Sequence, residues 1–216
     1  MRSTTRNPGL GRCAKLWERP FFKRTENFHA PDAEHQKQHK SYYNKDFHGT
    51  GGPVQTAYSA HYGASHQHWH ETCNKLGINT NESHFSGSNI GCWTSLTGVT
   101  PDTRERSYAA TAYYRPNAKR PNLVLLTEAF VKELVLEKEG EEWVANGVKF
   151  THGGEEHVVR TEGEIIISCG SVQSPQLLEI SGIGRPEVLK AAGIDVKVDS
   201  PKVGENLQEH MSEPTP

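Results

Sequence analysis

Apolar positions in this chain come in short, separated bursts, and they are densest after residue 121. Asn122–Leu126 gives one apolar strand, and alternation then resumes through Val131, Glu133 and Val135. Trp143–Phe150, Val158–Arg160 and the run Glu164–Ser168 (EIIIS) follow, separated by the Glu/Gly-rich stretches Glu137–Glu142 and His152–Glu156. Short runs rich in β-branched residues with tight turns predict an antiparallel meander, and EIIIS reads as a buried strand. After it, Cys169 and Gly170 form a small turn. Ser174 and Pro175 then predict a helix over Gln176–Ile180, with Ser as cap and Pro at the first position, where no hydrogen bond is lost. That helix ends in Ser181-Gly182-Ile183-Gly184; a second helix spans Pro186–Ala192 with Gly193 as its cap, and Ile194–Val198 returns as a strand. Helical spacing also covers Tyr58–Leu76, closed by Gly77, and Arg104–Ala118, ending at Pro116. Residues 1–50 are polar and irregular: Phe21–Phe28 reads as the end of an amphipathic helix with Trp17 on its inner side, and 29–48 as a solvated loop. Residues 78–100, rich in Asn, Ser, Thr and Gly, form a long ordered loop of the kind that lines sites.

Composition narrows the classes. Hydrophobic residues make up 34%, and 20 glycines with 12 prolines imply much loop, so the chain is lean for a self-sufficient core. A net charge of −2 makes no case for nucleic acid or an anionic membrane. The longest apolar runs, Leu123–Leu126 and Ile165–Ile167, are far too short to span a bilayer. The first residues lack the apolar core of a signal peptide. Cys13, Cys73, Cys92 and Cys169 are widely spaced without a CxxC pair, which suggests neither a disulfide scaffold nor a zinc site. Asn81-Glu82-Ser83 is a glycosylation sequon that matters only in a secreted chain, and the compartment stays open.

Three stretches carry candidate chemistry. The corner from Glu164 to Ile180 (strand, glycine turn, helix N-terminus) suits an anionic ligand, although a plain βα corner has the same pattern. His48-Gly49-Thr50-Gly51-Gly52-Pro53-Val54 is a permissive turn opening an extended segment. It lacks the Gly-Lys-Ser/Thr ending of a phosphate loop, and no apolar strand precedes it. His35 and His39 sit four apart, as do His66 and His70, the latter a spacing that two ligands of one metal would use. No HExxH pattern or third ligand accompanies them, so a solvated or partly packed face is the default.

Longer motifs decide between these readings. Gly170-Ser171-x-x-Ser174-Pro175-x-Leu177-Leu178-x-x-Ser181-Gly182-Ile183-Gly184 resembles the second signature of the glucose–methanol–choline (GMC) oxidoreductases. His48–Val54 is similar to that family's HG-x-x-GPV stretch, and Arg104–Pro116 to its R-x-SAA-x-AY-x-x-P stretch. Val203–His210 resembles its GVG-x-NL-x-DH segment, with Glu209 in place of Asp, while Ser200-Pro201-Lys202 departs from the usual Leu-Pro-Gly. The similarity runs from about Trp17 to His210.

The resemblance implies a flavoprotein that uses FAD to oxidise a small-molecule alcohol to a carbonyl by hydride transfer, with O2 or a quinone as electron acceptor. It implies an α/β (mixed α+β) fold: part of a Rossmann-like FAD-binding domain with part of an antiparallel-sheet substrate domain. On this reading 1–50 is a lead-in, and 51–216 is the family's N-terminal FAD-binding domain, incomplete at both ends. Val131 falls where the family hydrogen-bonds the adenine of FAD through a backbone amide and carbonyl, and Gly170 and Ser171 are expected as the second cofactor contact. No residue here is expected to be catalytic. The family's GxGxxG turn is expected upstream and its catalytic His pair beyond residue 216, so the isolated chain is expected to be inactive. Two alternatives from other classes stand beside this: a His-rich metal-binding module centred on His66 and His70, and a non-catalytic interaction fragment.

Overall fold

The computed structural model describes residues 20–209; Cys13, Trp17 and His210 lie outside them. The chain divides into two compact units between Val124 and Leu125. Among the described residues, short helices accompany one antiparallel sheet and two small parallel pairs.

In the first unit, helix α1 (Pro20–Thr25) leads directly into strand β1 (Glu26–His29). The helix expected to run to Phe28 stops at Thr25, because Glu26–His29 pairs in parallel with β2 (Val54–Ala57). Nor is the segment between them a solvated loop. Helix α2 (Ala33–His39) starts at an Asp32 cap that accepts the His35 N–H at 2.7 Å, while Ser41 and His48 are buried.

Glu26 organises the glycine turn ahead of β2. Its carboxylate accepts the Gly49 N–H and the Thr56 hydroxyl, each at 2.8 Å, and lies 3.2 Å from His48 Nδ1. Burial pulls the Glu26 carboxyl upward, but the bonds from His48, Gly49 and Thr56 outweigh this and hold it below its ordinary value. Glycine is required in this turn because backbone meets backbone: a Cβ on Gly52 would sit 2.4 Å from the Thr25 carbonyl carbon.

Helix α3 spans His66–Lys75, shorter than the expected Tyr58–Leu76. Tyr58 is drawn out of helical geometry, since its side chain is buried and its hydroxyl donates to the Tyr42 carbonyl at 2.8 Å. The other end is as expected: the Gly77 N–H reaches the Asn74 carbonyl and the Ile78 N–H reaches that of Cys73, the Schellman closure. The 78–100 loop is ordered by bridges between Thr80 and Cys92 and between Ala57 and Thr97. Within it, the sequon side chain of Asn81 donates to the carbonyls of Ser88 (2.6 Å) and Ile90 (3.2 Å), so a glycan there would break the loop's own bonds. Residues 104–108 are not helical: buried Ser107 instead accepts the Gln55 N–H at 2.8 Å. Helix resumes as a π-turn, Ala110–Tyr114, continuing into α4 (Arg115–Asn117).

The second unit is built on the expected meander. Strands β3 (Phe130–Glu139), β4 (Glu142–His152) and β5 (Glu155–Arg160) pair antiparallel in that order, with turns at Gly140-Glu141 and Gly153-Gly154. Helix α5 (Gly170–Ile180) packs on β3, and β6 (Ile183–Gly184) pairs in parallel with β7 (Val198–Asp199) around α6 (Pro186–Ala191). Leu134, Leu177, Leu189 and Ser181 are its most deeply buried side chains.

Two expected strands do not form. Asn122–Leu126 and Glu164–Ser168 have no strand partner among the described residues, and Val124 and Ile166 are 86% and 82% exposed. A strand needs a neighbour for its N–H and C=O groups, so an apolar β-branched run alone does not make one.

Candidate functional site

The site residues singled out from sequence lie around α5 but do not share one cleft. Val131 and Cys169 line one cleft of about 390 Å³, with Ala129, Gln173, Gln176 and Leu177. Ser171 instead lines a second cleft of about 600 Å³, with Ser174, Gln176, Glu179 and Lys202. Gly170 lines neither; it is the turn residue that starts the helix, at φ +89°.

Helix α5 begins earlier than its capping signals predict. Cys169 stands at the cap, and Ser174 and Pro175 lie inside the helix. The Ser174 hydroxyl still serves the start of the helix, but from within, by accepting the Cys169 N–H at 3.0 Å. Pro175 has no N–H for the Ser171 carbonyl one turn back, so that carbonyl loses its helical donor. The first turn carries neither a side-chain cap nor an acidic residue. Its amide groups and the positive end of the helix dipole are therefore open to an anion.

Val131 owes its arrangement to a register shift. The Leu134 N–H leaves the sheet for the Ser181 hydroxyl at 2.9 Å, so Leu134 and its partner Val148 form a non-hydrogen-bonded pair. Two positions along β4, Phe150 has the same parity, and it pairs with Val131 because the bulge at Lys132 inserts one extra residue in β3. The bulge thus turns the N–H and C=O of Val131 to the outer edge of β3, which no described strand covers. Residue type could not have shown this. Just upstream, Glu128 holds a left-handed φ of +55°, a conformation costly for a side chain of its type.

Ser181, which sequence reasoning passed over, fixes this geometry. It is 1% exposed, donates to the Leu177 carbonyl at 2.6 Å and accepts the Leu134 N–H. One hydroxyl thereby pins the end of α5 to the middle of β3. The signal was present as the Ser-Gly pair of the signature, which reads as a helix terminator.

The histidines of the first unit do not support a metal site. His66 and His70 share a face of α3, but both His70 ring nitrogens are taken, by Thr80 Oγ1 and Thr94 Oγ1 at 3.2 Å each. His66 Nε2 lies 3.3 Å from the His39 carbonyl. Among the described residues, no group of three His, Cys, Asp or Glu side chains is arranged to hold a metal. The rings pack instead: Tyr62 stacks on His66 at 4.1 Å, and His35 meets His39 edge-on at 4.8 Å.

This packing predicts acid lability. Burial, then the neighbouring imidazoles of His35 and His66, lower the pKa of His39. Burial, then His66 and Lys40, lower that of His70, and burial, then His48, brings His84 down to about 4. All three are favoured neutral in the folded unit, while the unfolded chain takes up protons below 6.5. The first unit should therefore lose stability as pH falls from 6.5 to about 4, with Glu26 adding a loss below 4.5 as its bonds are protonated away. Hydrogen-exchange protection factors at about pH 7 and about pH 5 check this. Protection should drop in β2 and α3 and hold in β3 and β4; an equal drop in both units would contradict it.

Comparison with known proteins agrees with the motif evidence. Residues 19–212 match the family model described as GMC oxidoreductase. The chain is similar to the GMC oxidoreductase family protein Mala s 12 of Malassezia sympodialis, 35% identical over 192 residues, covering 88% of this chain and 31% of that protein. It is also similar to the dehydrogenase citC of Monascus ruber, 39% identical over 196 residues, with 88% and 30% covered. In structure it resembles an FAD-dependent oxidoreductase from Chaetomium thermophilum, with a TM-score of 0.78 at 26% identity, covering 85% of this chain and 31% of that one. The chain thus spans about a third of the length of the relatives it matches. With the family model matched from residue 19 to residue 212, the chain belongs to the GMC oxidoreductases.

Proposed function

We propose that this chain is the adenine-binding part of an FAD-dependent oxidoreductase that oxidises a CH–OH donor to a carbonyl. The observation that carries this is the free outer edge of β3 at Val131, set over a cleft beside the uncapped N-terminus of α5. A flat heteroaromatic base with one acceptor and one donor on an edge fits an extended residue whose N–H and C=O both point outward. The amides of Gly170 and Ser171 supply donors for a phosphate oxygen. Bound there, FAD supplies the hydride acceptor. The residues of this chain bind and orient it; none of them is assigned as the base that takes the alcohol proton. The substrate is a small alcohol and the acceptor O2 or a quinone. Residues 51–216 are assigned to an incomplete FAD-binding domain on the same reading.

Substitution at Val131 separates backbone from side-chain binding. An edge position whose N–H faces outward admits proline without loss of a ladder bond. Val131→Pro in the whole protein should therefore keep the β-sheet circular dichroism yet lower FAD retained after dialysis by roughly tenfold, the effect of one lost hydrogen bond of about 1.4 kcal/mol. Val131→Ala, which keeps both backbone groups, should retain it. Acid-released flavin identified by chromatography gives the readout. Equal retention in V131P and V131A, or FMN in place of FAD, would remove the proposal.

A further inference from the structure

Spacing along the chain gives no hint that Cys73 and Cys92 are related, yet the fold brings them together. Cys73 lies on the inner face of α3 and Cys92 on the bridge to Thr80, and they are only 8% and 6% exposed. The backbone ties them at consecutive residues: the Cys73 carbonyl accepts the Ile78 N–H at 2.8 Å, and the Cys92 N–H donates to the Asn79 carbonyl at 3.0 Å. Cys92 Sγ lies 3.6 Å from His70 Nδ1, and His70 stands three residues before Cys73 on α3, the same helix face. Both are free thiols in this structure.

We propose that Cys73 and Cys92 form a disulfide when the chain folds in the presence of a disulfide oxidant such as oxidised glutathione, stapling α3 to the 78–92 loop. The step balances by thiol–disulfide exchange. The thiolate of one cysteine attacks a glutathione sulfur and expels one glutathione thiolate. The second cysteine then attacks the mixed disulfide and expels the other. The two cysteine protons pass to the two glutathione thiolates, so the pair loses two electrons and glutathione disulfide gains them. Once the loop has closed, burial and then Cys73 push the Cys92 thiol up to about 11, so packed Cys92 is a poor nucleophile and the exchange belongs to the folding chain.

The test is to refold the full chain in mixed oxidised and reduced glutathione, quench with N-ethylmaleimide, digest without reduction and map the peptides by mass. The expected product is a Cys73–Cys92 linked peptide, two hydrogens lighter than its halves, with two fewer alkylated thiols. Its thermal midpoint should fall on adding dithiothreitol. In Cys73→Ser the linkage should vanish, Cys92 should be alkylated, and the midpoint should no longer respond to reductant. Alkylation of both Cys73 and Cys92 in the wild-type chain, or linkage of either to Cys169, would overturn the proposal. If refolding yields only aggregate, the same mapping on protein directed to an oxidising compartment of the expressing cells and trapped there with N-ethylmaleimide decides between these outcomes.

Discussion

Replacing Ser181 with alanine should destabilise the second unit by about 1–3 kcal/mol, the cost of leaving a buried donor unpaired. The donor is the Leu134 N–H, which points away from β4 and has the Ser181 hydroxyl 2.9 Å away. Neither side is well placed to be rescued by water, since Ser181 and Leu134 are 1% and 4% exposed. The loss should show as a lower denaturant midpoint with an unchanged slope. It should also reach the cleft, because the same hydroxyl fixes where α5 stands against β3, and Val131 of β3 and Gln176 of α5 both line it. FAD retention should therefore fall in Ser181→Ala together with stability, whereas Val131→Pro should lower retention alone. Ser181→Thr keeps the hydroxyl and separates lost bonding from lost space. Wild-type stability in the alanine variant would show that the Leu134 N–H finds another partner.

What could be read from sequence depended on whether the information was local. The meander was legible because alternation and Gly-containing turns act over a few residues, and β3, β4 and β5 formed where the pattern placed them. The helix stop at Gly77 and the start at Pro186 were legible for the same reason. Asn122–Leu126 and Glu164–Ser168 misled because their apolar β-branched composition states a preference for burial in a sheet, while a strand exists only with a partner. At α5 the Ser-Pro pair marked a helix start about five residues too late, with Ser174 rather than Cys169 as cap, since the Gly170 turn starts the helix and the Ser174 hydroxyl is used from inside it. Motif resemblance named Val131, Gly170 and Ser171, but the structure sets Ser171 on a different cleft from Val131. Long-range pairings left no trace at all. The Lys132 bulge that aims Val131, the Ser181–Leu134 bond and the meeting of Cys73 with Cys92 each depend on tertiary register.

Gly49→Ala should be the most damaging single substitution in the first unit. A Cβ at this position would lie 1.8 Å from the Lys23 carbonyl oxygen, with the Lys23 carbonyl carbon at 2.6 Å. Relief by a rotamer change is impossible because the obstacle is backbone, so the turn and the end of α1 must separate. Separation also pulls the Gly49 N–H from the Glu26 carboxylate at 2.8 Å and loosens the bond that the Phe28 N–H donates to the Gly49 carbonyl at 2.9 Å. Those two bonds flank the β1–β2 pairing, so clash and lost bonding act on one element, and a cost of about 3 kcal/mol or more is expected. Gly51→Ala provides the control. Gly51 carries a left-handed φ of +83°, but a Cβ there meets nothing within 4 Å, so only backbone strain of about 1 kcal/mol is expected. Hydrogen exchange at Val54–Ala57 should collapse in Gly49→Ala and change little in Gly51→Ala. If the two variants behave alike, close backbone approach is not what holds glycine at position 49, and the turn is set by its dihedral angles instead.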